Sequence, residues 1–269
     1  MFKRPVNIKR IKKNEVIDMQ DTILVEQPVD LHVNSKPLSN IICLPNDLKE
    51  LAMGFLYSIG IVNSTKDIKE INIDELENVV DVKLKDIVEF NIDILTMNPI
   101  SRVIDTTCGI SSPWRNLIKK ALEDSEKNSK EKDDVKIKAD IIFSSIIEMQ
   151  KHTKLFRETG GCHGAAIFDF DGKLLSCKED IGRHNAIDKV IGDLLLKKSD
   201  FSQKFLTSTG RLTGDSVLKA IRAKIPIIAS LSAAVESGVR LAFAYGTTLI
   251  GFVRGARMNI YTHPYRIEV

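Results

Sequence analysis

Between residues 29 and 33 apolar and polar positions alternate. Val29, Leu31 and Val33 fall on one side and Asp30 and His32 on the other, the period of a half-buried strand, and NSKP at 34–37 supplies a turn. From Asp47 the period lengthens. Leu48, Leu51, Ala52, Phe55, Leu56 and Ile59 recur at helical spacing, with Asp47 and Glu50 reading as a capping box and Gly60 as the stop. Two further β-like runs, VVDVKLK (79–85) and IVEFNIDIL (87–95), complete a small α+β unit that extends to residue 105.

The segment 106–137 breaks that pattern. It opens on TTCGIS (106–111), in which neither strand nor helix is the natural reading. Ser112 and Pro113 then cap and start a helix over WRNLIKKAL. EDSEKNSKEKDD (123–134) has no apolar periodicity and reads as a solvated linker.

Residues 138–269 form a third unit, of α/β type. CHGAAIFDF and KLLSCKEDI, joined at Asp171-Gly172, predict a hairpin with a two-residue loop. Pairing Phe170 with Lys173 and counting back sets His163 opposite Asp180 on one face, with Cys162 and Cys177 on the other. HNAIDKVIGDLLLKK predicts an amphipathic helix with Ile187, Val190, Ile191, Leu194 and Leu195 on its apolar side. KFLTS, GDSVLKAIRAK, IPIIASLS, VESGVRLAFAYG and TTLIGFV then alternate strand with helix, which favours a largely parallel sheet flanked by helices. Of 15 glycines, 12 lie at or after position 160, most at element junctions, so this is the half expected to bind a ligand.

Composition narrows the function. A chain of 269 residues with 43% hydrophobic content can bury a sizeable core. A net charge of +3 is too small for the field of a dedicated nucleic-acid binder, so any anion site must be local. No apolar run is long enough for a membrane span, and MFKRPVNIKRIKK lacks the apolar stretch of a secretory leader, which predicts a cytoplasmic protein. That basic start reads as a solvated arm, or as a docking arm for an acidic partner. Four cysteines, Cys43, Cys108, Cys162 and Cys177, then imply reduced thiols in place of a disulfide framework.

Three segments should open on one sheet edge, beyond the C-terminal ends of parallel strands: STGRLT (208–213), SAAVES (232–237) and VRGAR (253–257). Helix N-termini and guanidinium forks there suit phosphate or pyrophosphate, which predicts a nucleotide-like ligand. TSTGRLTG lacks the lysine of a phosphate-binding loop, which disfavours an ordinary ATPase. Asp180 is placed to orient the His163 imidazole, and His184 follows at a helix start. The chain carries neither a Cys-x-x-Cys pair nor the zinc-deaminase signature, so no metal site is predicted. Cys43 sits in apolar IICL and reads as core. Cys108 reads either as an incidental loop residue or as a functional thiol, which would need nearby positive charge to ionise.

The runs ETGGCHGAAIFDFDG, KEDIGRHNAIDKVIG, STGRLT and GFVRGARMNIYTH, with EQPVDLHVN and LPNDLKELAMGFLYSIGIV earlier, resemble the FdhD family, accessory sulfur-carrier proteins of formate dehydrogenase. The resemblance spans nearly the whole chain. It implies a C-terminal domain similar to the cytidine-deaminase fold without its zinc site. It also implies a persulfide formed on a loop cysteine with sulfur from a cysteine desulfurase, then transfer to the molybdenum or tungsten bis-guanine dinucleotide cofactor destined for formate dehydrogenase. By motif position Cys108 corresponds to the persulfide-bearing cysteine. Phe252, Val253, Arg254, Gly255, Ala256 and Arg257 correspond to the cofactor-binding segment, which GDP or GMP should mimic in occupying. Gly210, Arg211 and Arg183 join Arg254 and Arg257 at the phosphates, while His163 and His184, with Asp180, shape the site or assist proton movement. A homodimer is also implied.

One departure stands out. Many family members carry Cys-x-x-Cys in this loop, whereas this chain has Cys108-Gly109-Ile110-Ser111. Two readings survive: persulfide transfer on a single thiol, and a chaperone that delivers the cofactor without transferring sulfur. Cys162, after Gly160-Gly161, is a possible substitute thiol.

Overall fold

The computed structural model describes residues 2–86, 103–104 and 135–269. IVEFNIDIL, the TTCGIS loop with Cys108, the helix expected after Pro113 and the charged run at 123–134 lie outside the described residues.

The chain begins with a two-stranded antiparallel ribbon, β1 (Lys3–Lys12) and β2 (Glu15–Leu24), paired from Lys3↔Leu24 to Lys12↔Glu15. The basic start is therefore a strand, and most of its side chains are exposed, in keeping with a solvated arm. The base of the ribbon is held where Phe2 and Leu24 pack against Leu44, Leu155 and Cys162. β3 (Gln27–Val33) and β4 (Lys36–Cys43) follow, joined through Asn34 and Ser35, both with left-handed backbone (φ 51° and 63°) as a tight hairpin turn requires. Val29, Leu31 and Val33 are buried as their alternation predicts. β5 (Ile68–Asp74), β6 (Val79–Leu84) and β7 (Val103–Ile104) complete a sheet of order β5-β6-β3-β4-β7.

Helix α1 (Leu48–Ile59) lies over this sheet and ends at Gly60, whose φ of 82° closes the last turn. The expected capping box does not form. Asp47 makes no side-chain cap; it and Glu50 instead reach Lys178, at 2.5 and 3.5 Å. Asp47 has a left-handed backbone (φ 52°) in place of the extended conformation of a capping residue, so its carboxylate makes no bond to the first-turn amides and meets Lys178, 131 residues away.

The second half opens with β8 (Ile137–Lys138), α2 (Ala139–His152) and α3 (Lys154–Thr159). Then come β9 (His163–Asp169), β10 (Leu174–Asp180), α4 (Arg183–Leu196), β11 (Lys204–Ser208), α5 (Gly214–Arg222), β12 (Ile227–Ser230), α6 (Glu236–Ala244), β13 (Thr248–Arg254) and β14 (Arg257–Thr262). A final strand, β15 (Ile267–Glu268), pairs with β8. The main sheet has the order β10-β9-β11-β12-β13-β14, with β11, β12 and β13 parallel and the remaining pairs antiparallel. The fold is thus mixed α/β, and the alternation of strand and helix after residue 204 is as the sequence predicts.

The β9–β10 hairpin reaches the expected register by a different route. Asp169 N–H donates to Lys173 O, so the loop has three residues, not two. A one-residue irregularity between Leu174 and Ser176 then restores the offset, and Asp180 does face His163.

Helix α4 also departs from expectation. It is buried on every side from Asn185 to Leu195, not along one stripe, because α1 covers the face that points away from the sheet. The two helices cross with their backbones in contact: a Cβ on Gly54 would lie 1.9 Å from Asp188 O, and one on Gly192 would lie 1.9 Å from Glu50 O. A single hydrophobic core consequently joins residues of the N-terminal sheet and α1 to α4, α5 and one face of the main sheet. Helix α2 covers the other face through Ile142, Ile146 and Met149. Among the described residues no helix is long and apolar enough to cross a membrane.

Candidate functional site

The ends of the three parallel strands are stitched together by short loops. Leu231 N–H donates to Ser208 O, and the Ser230 hydroxyl lies 2.9 Å from Ser208 O and 2.7 Å from Gly210 O, with one proton to give to either. Leu212 bridges to Ala234, and Phe252 N–H donates to Ser232 O. The segments 208–213, 231–235 and 251–257 therefore share one edge, as parallel pairing predicts.

On that edge the FVRGAR segment has an unusual backbone. Phe252 adopts a left-handed conformation (φ 52°) within an irregularity that separates Gly251 from Arg254. A bulky residue in that region is held there by its surroundings, here the bond from its N–H to Ser232 O. The consequence is local to Arg254, whose Nε donates to Leu231 O (3.0 Å) and whose guanidinium sits 5.8 Å from the Phe252 ring centre. Arg257 faces Arg254 across the β13–β14 turn, formed by Gly255 and Ala256. Val253 is buried, while Arg254 through Arg257 are exposed. Among the described residues no carboxylate forms an ion pair with Arg211, Arg254 or Arg257. A cavity of about 430 Å³ opens beside this turn, with Thr209, Ser232, Arg254 and Gly255 in its wall.

His163, His184, Arg183, Gly210 and Arg211 gather on the other side of the same loop. Arg183 packs directly over Gly210, where a Cβ would come within 2.7 Å of the arginine's own Cβ. His163 Nδ1 lies 3.1 Å from the Thr209 hydroxyl, which also accepts from Gly164 N–H. His184 Nδ1 lies 3.4 Å from the Ser216 hydroxyl. Burial, reinforced by Arg183 and Arg211, holds the His163 pKa below the ordinary imidazole value. Burial followed by Arg183 and Lys219 pushes His184 well below it. Two neutral rings thus sit among fixed cations, which suits a site for anions that needs hydrogen-bonding groups without additional charge.

Asp180 does not orient His163. Although opposite in register, its carboxylate accepts from Leu44 N–H (3.1 Å), Gly182 N–H (2.9 Å) and Asn185 Nδ2 (2.9 Å), and pairs with Lys189 at 2.7 Å. Thr209 takes the role assigned to it. Lys189 in turn donates to Leu44 O and Asn46 Oδ1, and Asn185 to Ile42 O. Asp188 completes the set with Ser58 (2.7 Å) and Lys219 (2.5 Å). Much of the specific EDIGRHNAIDK motif is therefore an internal polar clamp between the two halves, and only Arg183 and His184 turn toward the site.

The three described thiols are poorly suited to nucleophilic work. Burial pushes Cys43, Cys162 and Cys177 each up to about 12, with Asp180 adding to the effect at Cys43 and Glu179 at the other two. Cys43 lies in the core, as its apolar context predicts. Cys162 is sealed against Leu44 and Leu155, which removes it as a substitute carrier. Cys108 lies outside the described residues. Among the described residues no group of three or more His, Cys, Asp or Glu side chains could hold a metal ion.

The sequence reading missed Thr209, Ser216, Ser230 and Ser232. Thr209 stood within STGRLT, but its bond to a histidine 46 positions earlier has no local signature.

Comparison with known proteins shows the family. The model of the FdhD/NarQ family matches residues 24–268. A sulfur carrier protein FdhD from Sulfolobus acidocaldarius is 37% identical over 268 residues, covering 99% of each chain. One from Bacillus subtilis is 32% identical over 264 residues, covering 97% of this chain and 96% of the relative. The crystal structure of a protein from Desulfotalea psychrophila, provisionally described as a formate dehydrogenase accessory protein, superposes with a TM-score of 0.78 at 27% identity, covering all of both chains. On a match that runs from the end of the β-ribbon almost to the C-terminus, with relatives alike over nearly their full length, this chain belongs to the FdhD/NarQ family.

Proposed function

We propose that this protein is a sulfur carrier for formate dehydrogenase, acting in the cytoplasm. Cys108 thiolate attacks the outer sulfur of a cysteine desulfurase persulfide. A new sulfur–sulfur bond forms on Cys108 as the old one breaks, and the donor cysteine leaves as thiolate. In the second transfer Cys108 leaves as thiolate and its outer sulfur passes to a molybdenum or tungsten bis-guanine dinucleotide cofactor, held as cargo before it enters formate dehydrogenase. The two electrons that bring that sulfur to the sulfide level come from the cargo metal in its reduced state.

The observation that carries this reading is the strand-end edge. Exposed Arg211, Arg254 and Arg257, with Arg183 beside two uncharged imidazoles, form a cationic rim suited to the phosphates of a dinucleotide. Cys43 and Cys162 are buried and the pKa of all three other thiols is raised, which supports Cys108 as the carrier by chemistry as well as by motif position. The mixed six-stranded sheet with its three parallel strands supports the likeness to the cytidine-deaminase fold. A homodimer belongs to the same reading and is open to light scattering.

Incubation with a cysteine desulfurase and cysteine tests the proposal by intact mass. One added sulfur on the wild type, absent from Cys108→Ser, supports the carrier. Undiminished activation of formate dehydrogenase by Cys108→Ser, with loss in Arg254→Ala, would establish the chaperone in its place.

A further inference from the structure

The ribbon of β1 and β2 is a sheet of its own. It is tied down at its base, where Phe2 and Leu24 pack against Leu44, Leu155 and Cys162 and where Lys3 pairs with Glu158. Its register sorts the side chains onto two faces, because residues opposite each other in an antiparallel ladder point the same way. One face carries Val6, Ile8, Ile17, Met19 and Ile23. Ile17 is 42% exposed and Ile23 38%, and among the described residues none of the five joins a hydrophobic cluster of the protein. Two strands alone are marginal in water, so a ribbon with an apolar face calls for a further layer over it.

The charges indicate what that layer is. β1 carries Lys3, Arg4, Lys9, Arg10 and Lys12 and no carboxylate, while β2 carries Glu15, Asp18 and Asp21 and no cation. A surface divided in this way complements a copy of itself. Pairing β1 with β1, or β2 with β2, along their edges sets like charges side by side, which is unfavourable. Stacking the apolar faces about a two-fold axis parallel to the strands instead lays each cationic strand over the partner's anionic one. The register then sets Ile8 over the partner's Met19 and Lys12 over the partner's Glu15. Among the described residues neither Lys12 nor Glu15 has an ion pair within its own ribbon, whereas Lys9 meets Asp18 and Arg10 meets Asp21.

We infer that the apolar face of the β1–β2 ribbon is an interface between two copies of this chain, stacked with β1 of each over β2 of the other. The inference rests on the homodimer proposed above and names its surface. The family match begins at residue 24, so it includes none of the five apolar residues on this face.

Sedimentation equilibrium of the full chain over a range of concentrations tests it with four variants. Lys12→Glu and Glu15→Lys each set like charges over one another in both symmetry-related contacts, so each should dimerise about tenfold more weakly than the wild type. An equimolar mixture of the two restores opposite charges in both contacts and should recover wild-type affinity. The cross-strand pair within each ribbon stays broken in that mixture, so recovery can arise only between copies. Ile17→Asp, on the stacked face, should weaken the dimer at least as much. Val16→Asp, on the opposite face, should leave it unchanged. A dimer that Lys12→Glu, Glu15→Lys and Ile17→Asp all leave as tight as the wild type would overturn the ribbon interface and spare the homodimer. Failed recovery in the mixture, or equal loss in Val16→Asp and Ile17→Asp, would overturn the face-to-face arrangement. A wild type that is monomeric at every concentration would overturn both the interface and the homodimer.

Discussion

Asp180 and Lys189 face each other at 2.7 Å, both wholly removed from solvent, where the loop before α1 meets the start of α4. The pair is fully bonded: backbone and amide groups of residues 42–46 and 179–185 satisfy what the two charges leave over. Removing one partner strands the other charge in the interior. Asp180→Asn and Lys189→Met should each destabilise the fold by about 3–5 kcal/mol. The double variant should cost clearly less than the two singles added together. Urea unfolding of the four proteins checks this, and strict additivity would mean that the two charges are not coupled.

The crossing of α1 and α4 depends on the absence of two side chains. Gly54→Ala or Gly192→Ala places a methyl group 1.9 Å from a carbonyl oxygen of the facing helix, so the helices must move apart. Overpacking of this kind costs about 1–3 kcal/mol or more. Gly161→Ala is the control, since its nearest neighbour would lie at 3.5 Å, and its melting temperature should stay near that of the wild type.

Thiol chemistry should single out one cysteine. With Cys43, Cys162 and Cys177 each near 12, only ~10⁻⁴ of each is thiolate at pH 8. Brief iodoacetamide treatment of the native protein followed by peptide mapping should find label on Cys108 and little on the others. Rapid labelling of Cys162 in the folded state would contradict the packing seen around it.

Acid should weaken the fold through its histidines. The folded state holds His163 and His184 below their ordinary pKa, so between the two values the unfolded chain binds more protons. Stability therefore falls as pH drops below about 6.5, by up to ~1.4 kcal/mol per pH unit for each ring. Urea midpoints at pH 7.5, 6.5 and 5.5 should show this slope, and His184→Gln should flatten it. An unchanged slope in that variant would place the acid sensitivity elsewhere.

Periodicity along the chain determined where most described elements lie, because burial of a strand face or a helix stripe is written in residues two to four positions apart. The alternation through Val29, Leu31 and Val33, the helix ending at Gly60 and the parallel run after residue 204 all follow from neighbours close in sequence. The shared edge of 208–213, 231–235 and 251–257 followed in turn from the direction of those strands. Which group each charge meets was decided only by the tertiary structure. Asp180 was opposite His163 by counting, yet it bonds to Leu44, 136 residues away, and the imidazole turned to Thr209. Asp47 and Glu50 met Lys178, not their own helix amides. Helix α4 had the look of a surface helix until α1 closed over its outer face. Each of these outcomes turns on which distant partner offers the better-satisfied contact once water is excluded, and that competition leaves no periodic trace in a single chain.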